Sequence, residues 1–243
     1  MREPAPRPMP AAGRIRLVAF DLDGTLTRGD TVCETIARRL GHLRRVRELE
    51  ALCAERRDRD SLRLLRTELA SIYRGATRAR LRSSLSSLIL APGARRGLAL
   101  LRDSGVMSAI VSLAWEFASE WLAEVLHADY YVGTRFLDDG SVEHFWPEDK
   151  GPWLERLMRS VGVGRDQTAA VGDSWTDTAM FDVVDHVIYV GATPTPHPHL
   201  IHVPNGNIYE IARLLTDRPR PISTPSGRRA ISAGSSSSTR TRW

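Results

Sequence analysis

The sequence predicts an α/β fold, in which a parallel sheet carries a small helical domain inserted after the first strand. Short apolar runs alternate along the chain with segments that repeat apolar residues every three or four positions, and this alternation is typical of a parallel sheet covered by helices. About sixty residues after the first apolar run contain helical patterns alone, a length that exceeds a single crossover helix. The 243 residues, of which 42% are hydrophobic, suffice for one core and one small insertion.

Five apolar runs are the expected strands of the sheet, and helical patterns lie between them. The strands are predicted at Ile15 to Phe20, Met107 to Val111, Tyr130 to Val132, Thr168 to Val171 and Val187 to Val190. The helices are predicted at residues 93–105, 116–127 and 151–162. An Asp-Gly pair within residues 134–145 indicates a β-hairpin. These elements assign the core to residues 14–27 and 91–217.

Residues 28–90 form the expected helical insertion. Its three helical patterns lie at Thr31 to Leu40, Val46 to Arg56 and Ser61 to Tyr73. Turn signals bound the segment, at Gly29 and at Ala91-Pro92-Gly93. Residues 28–89 hold 15 Arg against 8 acidic residues, whereas the core is acidic. Residues 1–13 and 218–243 are rich in Pro, Arg and small residues, and both ends are expected to be disordered.

Composition argues against a membrane protein and against a secreted one. No apolar run approaches the roughly 18 residues of a membrane span, and the first residues lack the apolar stretch of a secretory signal. The two cysteines, Cys33 and Cys53, are too few for a disulfide framework and lack the spacing of a zinc site. A reduced, cytoplasmic protein is therefore expected, with Cys33 buried in the first inserted helix.

Two carboxylates follow the first predicted strand directly. Asp21 and Asp23 are separated by one residue, and Gly24 and Thr25 form the turn. The carboxyl end of a strand in an open parallel sheet faces the ligand crevice. There one carboxylate can bind a hard cation and attack phosphorus, while the other passes a proton to and from the leaving oxygen. Because an isolated pair of this kind is more often a solvated acidic turn, the interpretation depends on the other strand ends.

Polar residues follow two further strands. Ser112 comes after the second apolar run and can donate to a phosphate oxygen, while Asp173 and Asp177 follow the fourth run and can complete a cation site or orient a cation. Lys150, the only lysine among 34 basic residues, precedes a predicted helix and can neutralise a transferring phosphoryl group. Each residue alone also fits a helix cap, a turn or a surface charge, but their joint order favours a phosphoryl-transfer site.

With these motifs the sequence resembles the haloacid dehalogenase superfamily, and within it the phosphoserine phosphatase-like branch, over residues 17–182. The resemblance implies a Rossmann-like core with a helical cap of the C1 type inserted after the first motif. It implies that Asp21 is the nucleophile, which forms an aspartyl-phosphate, and that Asp23 is the general acid and then the general base. Ser112 and Lys150 are implied to bind phosphate. An acid at Asp23 favours phosphate ester hydrolysis over dehalogenation and over ion transport.

The resemblance also implies Mg²⁺ as the cofactor. Its ligands are expected to be Asp21, Asp173 and the backbone carbonyl of Asp23. Asp177 is expected to act through water or toward the lysine, and Thr25 to support the turn. The implied partner is a small-molecule phosphate ester, and neither a membrane nor a nucleic acid is expected; the oligomeric state is left open.

Substrate contacts are expected in the helical insertion. The position that matches the family's serine-binding glutamate is Asp30, with Glu34 one turn later. Arg63 or Arg66 is expected to take the place of the family's carboxylate-binding arginine.

The sequence departs from the family's pattern beside two motifs. Leu113-Ala114-Trp115 stands where two glycines usually follow the serine, and Thr176 stands where asparagine is usual. Trp115 and Trp175 either shape a pocket for a ring or serve as packing residues. The expected substrate is therefore a sugar or cyclitol phosphate or a phosphoserine-like metabolite.

Two rival functions stay open at this point. A phosphotransferase or mutase uses the same aspartyl-phosphate, and the basic insertion would suit a nucleic-acid-binding protein.

Other binding motifs do not match the sequence. A calcium loop starting at Asp21 has Leu26 at its sixth position, and Lys150 lacks the preceding glycine of a P-loop. Gly162 and Gly164 lack the third glycine of a dinucleotide site. A further set lies in a Pro-rich loop and is not expected to bind metal: His197, His199 and His202.

Overall fold

The computed structural model describes residues 14–193, 197–198 and 200–217. The two ends predicted to be disordered, residues 1–13 and 218–243, lie outside the described residues, as does His199. Within the described ranges, no helix is long and apolar enough to cross a membrane.

Seven strands form one mostly parallel sheet. The strands within the described residues are β1 Leu17–Phe20, β2 Thr27–Arg28, β3 Ile89–Leu90, β4 Met107–Trp115, β5 Tyr130–Phe136, β6 Val142–Glu143, β7 Thr168–Gly172, β8 His186–Tyr189 and β9 Leu200–His202. The order in the large sheet is β6-β5-β4-β1-β7-β8-β9, and every pair is parallel except β5 with β6. Phe20 lies beside Ile110 of β4 and Val171 of β7, so the central strands end at the same edge. This α/β architecture confirms the predicted fold class.

Helices cover both faces of the sheet. The core helices are α5 Ala94–Asp103, α6 Glu116–Leu126, α7 Lys150–Val161, α8 Thr178–Phe181 and α9 Ile208–Thr216. Val18 and Phe20 of β1 pack toward α5, α6 and α9, while Leu17 and Ala19 pack toward α7 and α8. All four residues are fully buried, because a parallel sheet covered on both faces leaves no strand residue for solvent.

The four remaining helices occupy the segment between β2 and β3. They are α1 Val32–Leu40, α2 Leu43–Arg56, α3 Arg59–Tyr73 and α4 Arg78–Ser84. Helix α1 begins with a capping box, in which Thr31 and Glu34 satisfy each other's backbone N–H, and it ends at Gly41 in the left-handed conformation. The strands β2 and β3 pair in antiparallel register, so the chain leaves the core and returns to it side by side.

The structure differs from the predicted elements in several places. Strand β4 continues through Ser112 to Trp115, because a register shift after Val111 lets the backbone keep pairing with β5. The Asp-Gly hairpin is present as β5 and β6. No bounds were predicted for six elements: β2, β3, α4, α8, β9 and α9.

Candidate active site

The predicted strand-end residues meet at the carboxyl edge of the sheet. Asp21 directly follows β1, Ser112 lies near the end of β4, and Asp173 directly follows β7. The Asp21 amide donates to the carbonyl of Val171 at 2.9 Å, which ties the first carboxylate to the neighbouring strand. The parallel register thus brings residues about 150 positions apart in the sequence to one edge.

Lys150 lies between two of these carboxylates. Its Nζ donates to Asp21 Oδ1 at 2.7 Å and to Asp177 Oδ1 at 2.6 Å, and the lysine side chain is completely buried. Burial alone would lower the pKa of Lys150, but the carboxylates of Asp177 and Asp21 outweigh it and raise that pKa above its ordinary value. The ammonium is therefore charged and fixed at the centre of the site.

Asp177 is held by the backbone as well as by the lysine. Its Oδ2 accepts from the amides of Asp173 and Ser174 at 3.0 and 3.1 Å. A Cβ on Gly172 would lie 2.5 Å from this carboxyl group, so only glycine leaves room for it. Both oxygens of Asp177 are therefore engaged within the protein, one by Lys150 and the other by the backbone.

Three carboxylates come close enough to share a cation. Oxygens of Asp21, Asp173 and Asp177 lie within 4.8 Å of one another. Burial, and then the neighbouring carboxylates, raise the pKa of Asp21 well above its ordinary value and that of Asp173 to about 6. Three acids facing one lysine leave an excess of negative charge, and carboxylate oxygens are the donors that Mg²⁺ prefers. The residues present therefore fit a divalent cation.

The turn after β1 shapes this cluster. Gly24 has a φ of +80°, and a Cβ there would lie 2.2 Å from Asp173 Oδ2. Thr25 Oγ1 donates to Asp173 Oδ1 at 3.3 Å. The close approach of the turn to Asp173 requires glycine for both its conformation and its lack of a side chain.

Asp23 points away from the cluster toward the helical segment. Its Oδ1 accepts from the amide of Val32, the first residue of α1, at 2.9 Å. Burial raises the pKa of Asp23 to about 7, although the Val32 amide opposes the shift. A carboxyl group that titrates near neutrality is suited to give and take a proton. The role of its backbone carbonyl as a metal ligand stays a prediction.

Ser112 is buried beside the same edge. Its Oγ accepts from the amide of Ala114 at 3.1 Å, which leaves the hydroxyl hydrogen available to another acceptor. Its predicted contact with phosphate stays a prediction.

A cavity of about 110 Å³ opens next to Asp23, between the helical segment and the core. Its apolar wall comes from α3 and β4, and its polar side chains include Asp23, Glu50 and Arg66. Cys33 and Trp115 also line it. Trp115 packs edge-on against Tyr73 and also bounds the cavity; that the cavity takes a ring stays a prediction.

Of the four predicted substrate residues, the structure brings Arg66 alone to this cavity. Asp30 forms ion pairs with Arg38 and Arg47 instead. Glu34 pairs with Arg47 and caps α1, while Arg63 pairs with Asp60 at the surface. Trp175 is half-buried and is not part of the cavity wall.

Sequence reasoning did not find Glu50. It lies on α2, four residues after Val46 and three before Cys53, both of which are buried. That spacing puts Glu50 on the buried face of the helix and is the signal that could have found it.

Away from the cavity, His202 of the Pro-rich loop contacts the carbonyl of Gly191 through Nε2 at 2.8 Å. In the described ranges the cluster able to hold a metal is the three aspartates.

Comparisons with known proteins agree with this geometry. The family model of haloacid dehalogenase-like hydrolases matches residues 18–182. The phosphoserine phosphatase of Methanocaldococcus jannaschii is 27% identical over 175 residues, which cover 68% of this chain and 81% of the relative. That of Halobacterium salinarum is 29% identical over 211 residues, covering 83% of this chain and 97% of the relative.

Solved structures show the same likeness. A phospho-aspartyl intermediate analogue of a phosphoserine phosphatase superposes with a TM-score of 0.63 at 25% identity, covering 73% of this chain and 87% of that one. A haloacid dehalogenase family hydrolase from Salmonella enterica has a TM-score of 0.73 at 20% identity, covering 86% and 73%, and supports the fold alone.

Proposed function

The chain belongs to the haloacid dehalogenase-like hydrolase family and is a phosphatase similar to phosphoserine phosphatases, and from that premise we propose that it hydrolyses a small phosphate monoester through an aspartyl-phosphate on Asp21, with Mg²⁺ as cofactor. The observation that carries the proposal is the buried set of Asp21, Lys150 and Asp177, with Asp23 two residues from the nucleophile and facing a cavity.

In the first step Asp21 attacks phosphorus. Lys150 holds Oδ1 of Asp21, so the other oxygen, Oδ2, forms the new bond to phosphorus while the bond to the substrate's alcohol oxygen breaks. Protonated Asp23 gives its proton to that departing oxygen. The products of the step are an aspartyl-phosphate, a free alcohol and an ionised Asp23.

In the second step water releases the phosphate. Asp23, now a carboxylate, takes a proton from the attacking water, whose oxygen bonds to phosphorus as the bond to Asp21 breaks. Inorganic phosphate leaves, and both aspartates return to their starting states. A pKa near 7 suits Asp23 to both transfers, because neither protonation state is strongly favoured at neutral pH.

The surrounding residues stabilise the negative charge on the nucleophile and on the phosphoryl oxygens. Lys150 offsets negative charge on the nucleophile, and Ser112 has a hydroxyl hydrogen to offer a phosphoryl oxygen. Asp21, Asp173 and the backbone carbonyl of Asp23 would hold Mg²⁺, which when bound supplies further positive charge against the phosphoryl oxygens. Asp177 keeps Lys150 in place.

The helices between β2 and β3 act in this proposal as the specificity cap, because the cavity lies between them and the core. The substrate class is a small sugar or cyclitol phosphate or a phosphoserine-like metabolite. A cytoplasmic location is part of the same proposal.

Release of inorganic phosphate tests the proposal. The full chain is assayed with Mg²⁺ against phosphorylated amino acids, amines, polyols, sugars and nucleotides, and the assay is repeated with a chelator. We expect Mg²⁺-dependent release from one chemical group and a loss of about a thousandfold or more in Asp21→Asn. Asp103→Asn, at a side chain that is 72% exposed on α5, serves as the matched control.

Two results would overturn the proposal. Equal release by wild type and Asp21→Asn would exclude the aspartyl-phosphate. Transfer of the phosphoryl group to a sugar without release of inorganic phosphate would show a phosphotransferase instead.

A further inference from the structure

The cavity wall contains a carboxyl group without a charged partner. Glu50 of α2 lines the cavity together with Asp23, and among the described residues it takes part in no ion pair. Burial raises the pKa of Glu50 from its ordinary value of 4.5 to about 8. An acid that has lost hydration beside a reaction site is stabilised by a ligand whose hydrogen bonds replace those of the lost water.

One oxygen of Glu50 is already engaged by the protein. Oε1 accepts from the hydroxyl of Thr31 at 2.7 Å. The Thr31 oxygen itself accepts from the amide of Glu34 at 3.0 Å, so its one hydrogen is committed to Glu50. Oε2 accepts no hydrogen bond from the part of the chain that the structure describes. The carboxyl group is thus oriented by Thr31 and keeps one acceptor for a ligand.

Arg66, the arginine that lines the cavity, already binds groups of the core. Arg66 Nη2 donates to the carbonyls of Leu113 and Phe145 at 3.2 and 2.7 Å, and Nη1 lies 3.3 Å from His144 Nδ1. The guanidinium also stacks over the ring of Trp146 at 5.0 Å. Arg66 therefore joins α3 to the core, and its side chain is less available to an incoming carboxylate than a free guanidinium.

We propose that this cavity selects phosphate monoesters whose alcohol part carries a hydrogen-bond donor, a hydroxyl or an ammonium group, for Glu50, and that it disfavours a carboxylate in the same place. The inference rests on the proposed phosphatase function and narrows its substrate class. A volume of about 110 Å³ is well below the roughly 300 Å³ of the smallest drug-sized sites, so the alcohol part is small.

Four substrates of matched size test the selection at pH 9, where Glu50, whose pKa is about 8, is mostly ionised. They share a two-carbon alcohol part and differ at its end: 2-aminoethyl phosphate, 2-hydroxyethyl phosphate, ethyl phosphate and carboxymethyl phosphate. We expect kcat/KM for at least one donor-bearing substrate to exceed that for ethyl phosphate by about tenfold or more, because a hydrogen bond to a buried charged group has that worth. Carboxymethyl phosphate is expected to fall below ethyl phosphate, since its carboxylate meets Glu50.

Substitution of Glu50 assigns the selection to this residue. In Glu50→Gln the ratio of kcat/KM for the amine to that for ethyl phosphate is expected to fall by about tenfold, through KM, because the negative charge is lost. The corresponding ratio for the hydroxyl substrate is expected to fall less, since the amide oxygen of glutamine is taken by Thr31 and a hydroxyl group, unlike an ammonium group, can accept from the amide N–H that then faces it. The difference between the two changes in kcat/KM ratio shows whether the site recognises an ammonium group or a hydroxyl group. Glu48→Gln, on the same helix with a half-exposed side chain, is the control and is expected to change neither ratio.

The outcomes separate this inference from the function on which it rests. Equal kcat/KM for all four substrates, or a preference for carboxymethyl phosphate, would overturn the inference while phosphate release sensitive to Asp21→Asn still supports the phosphatase. Wild-type preference that survives in Glu50→Gln would also overturn the role of Glu50. Absence of release from these and all other phosphate esters would remove both proposals. The ranking by wild type alone decides the selectivity if Glu50→Gln does not fold.

Discussion

Replacement of Glu50 by glutamine should change how the stability of the protein depends on pH. Glu50 is half-buried on α2 with one hydroxyl partner, Thr31, and the loss of hydration raises its pKa to about 8. Glutamine has nearly the same shape, can accept from the same hydroxyl and does not titrate. The difference in the free energy of unfolding between the two proteins therefore isolates the ionisation of Glu50.

The sign and size of the effect follow from the two pKa values. Below pH 4.5, the ordinary pKa, Glu50 is protonated in both the folded and the unfolded chain, and ionisation has no effect on stability. Between 4.5 and about 8 the unfolded chain releases the proton while the folded chain keeps it, so the wild type loses stability as pH rises. Each pH unit in this interval corresponds to about 1.4 kcal/mol, which gives an upper bound of about 5 kcal/mol above pH 8.

Urea unfolding followed by circular dichroism measures the effect. We expect Glu50→Gln to gain stability relative to wild type from about pH 5 to about pH 9, by a few kcal/mol and at most the bound above. Glu48→Gln, whose side chain is half exposed, should show a difference that stays constant within about 0.5 kcal/mol over the same range. Free energies of wild type and Glu50→Gln that run parallel from pH 5 to pH 9 would refute the burial argument.

Four further outcomes are expected. Lys150→Met leaves its two carboxylate partners buried without their cation and should lower the free energy of unfolding by about 3 to 5 kcal/mol; undiminished stability in urea would contradict the ion-pair geometry. Gly24→Ala places a Cβ 2.2 Å from Asp173 Oδ2, so the Mg²⁺ concentration for half-maximal phosphate release should rise by about tenfold or more, and an unchanged Mg²⁺ titration would exclude this contact as a determinant. Arg66→Lys loses the planar donors to two backbone carbonyls and should lower the free energy of unfolding by about 1 to 3 kcal/mol, measured in urea at neutral pH. Because Asp23 must be protonated in the first step, the rate of phosphoenzyme formation from ethyl phosphate should fall as pH rises above about 7, whereas a p-nitrophenyl ester, whose leaving group needs no proton, should show no such fall.

The residues at the strand ends could be predicted because the sheet itself brings them together. Parallel strands that share a register end at one edge, so Asp21 and Asp173 are neighbours once their strands are assigned. Lys150 could be found by its being the only lysine. The complete burial of Lys150 between two carboxylates could not be predicted, since it depends on how α7 packs against the sheet.

The cavity was harder to predict, because its side chains depend on which face each inserted helix turns inward. Asp30 precedes α1 and occupies the expected sequence position, but two arginines of α1 and α2 hold it at the surface. Glu50 lies in a stretch rich in charge, where an acid is usually solvated. That Glu50 lies on the buried face of α2 is indicated only by its spacing from Val46 and Cys53. Helix α9 was missed although Asn207 caps it through the amides of Tyr209 and Glu210, which is a signal that the sequence does contain.

The antiparallel pairing of β2 with β3 gives the inserted helices one narrow connection to the rest of the chain. Thr27 lies opposite Leu90 and Arg28 opposite Ile89, so the two crossing points are adjacent and bound to each other by backbone hydrogen bonds. A cassette that begins and ends at such a pair can be lengthened, shortened or exchanged by recombination while the order of the seven-stranded sheet stays the same. The inserted part of the cavity wall, which includes Glu50 and Arg66, is therefore encoded by one continuous stretch of the gene, and a chimera spliced at these two positions would replace that part of the wall while β4 keeps its own.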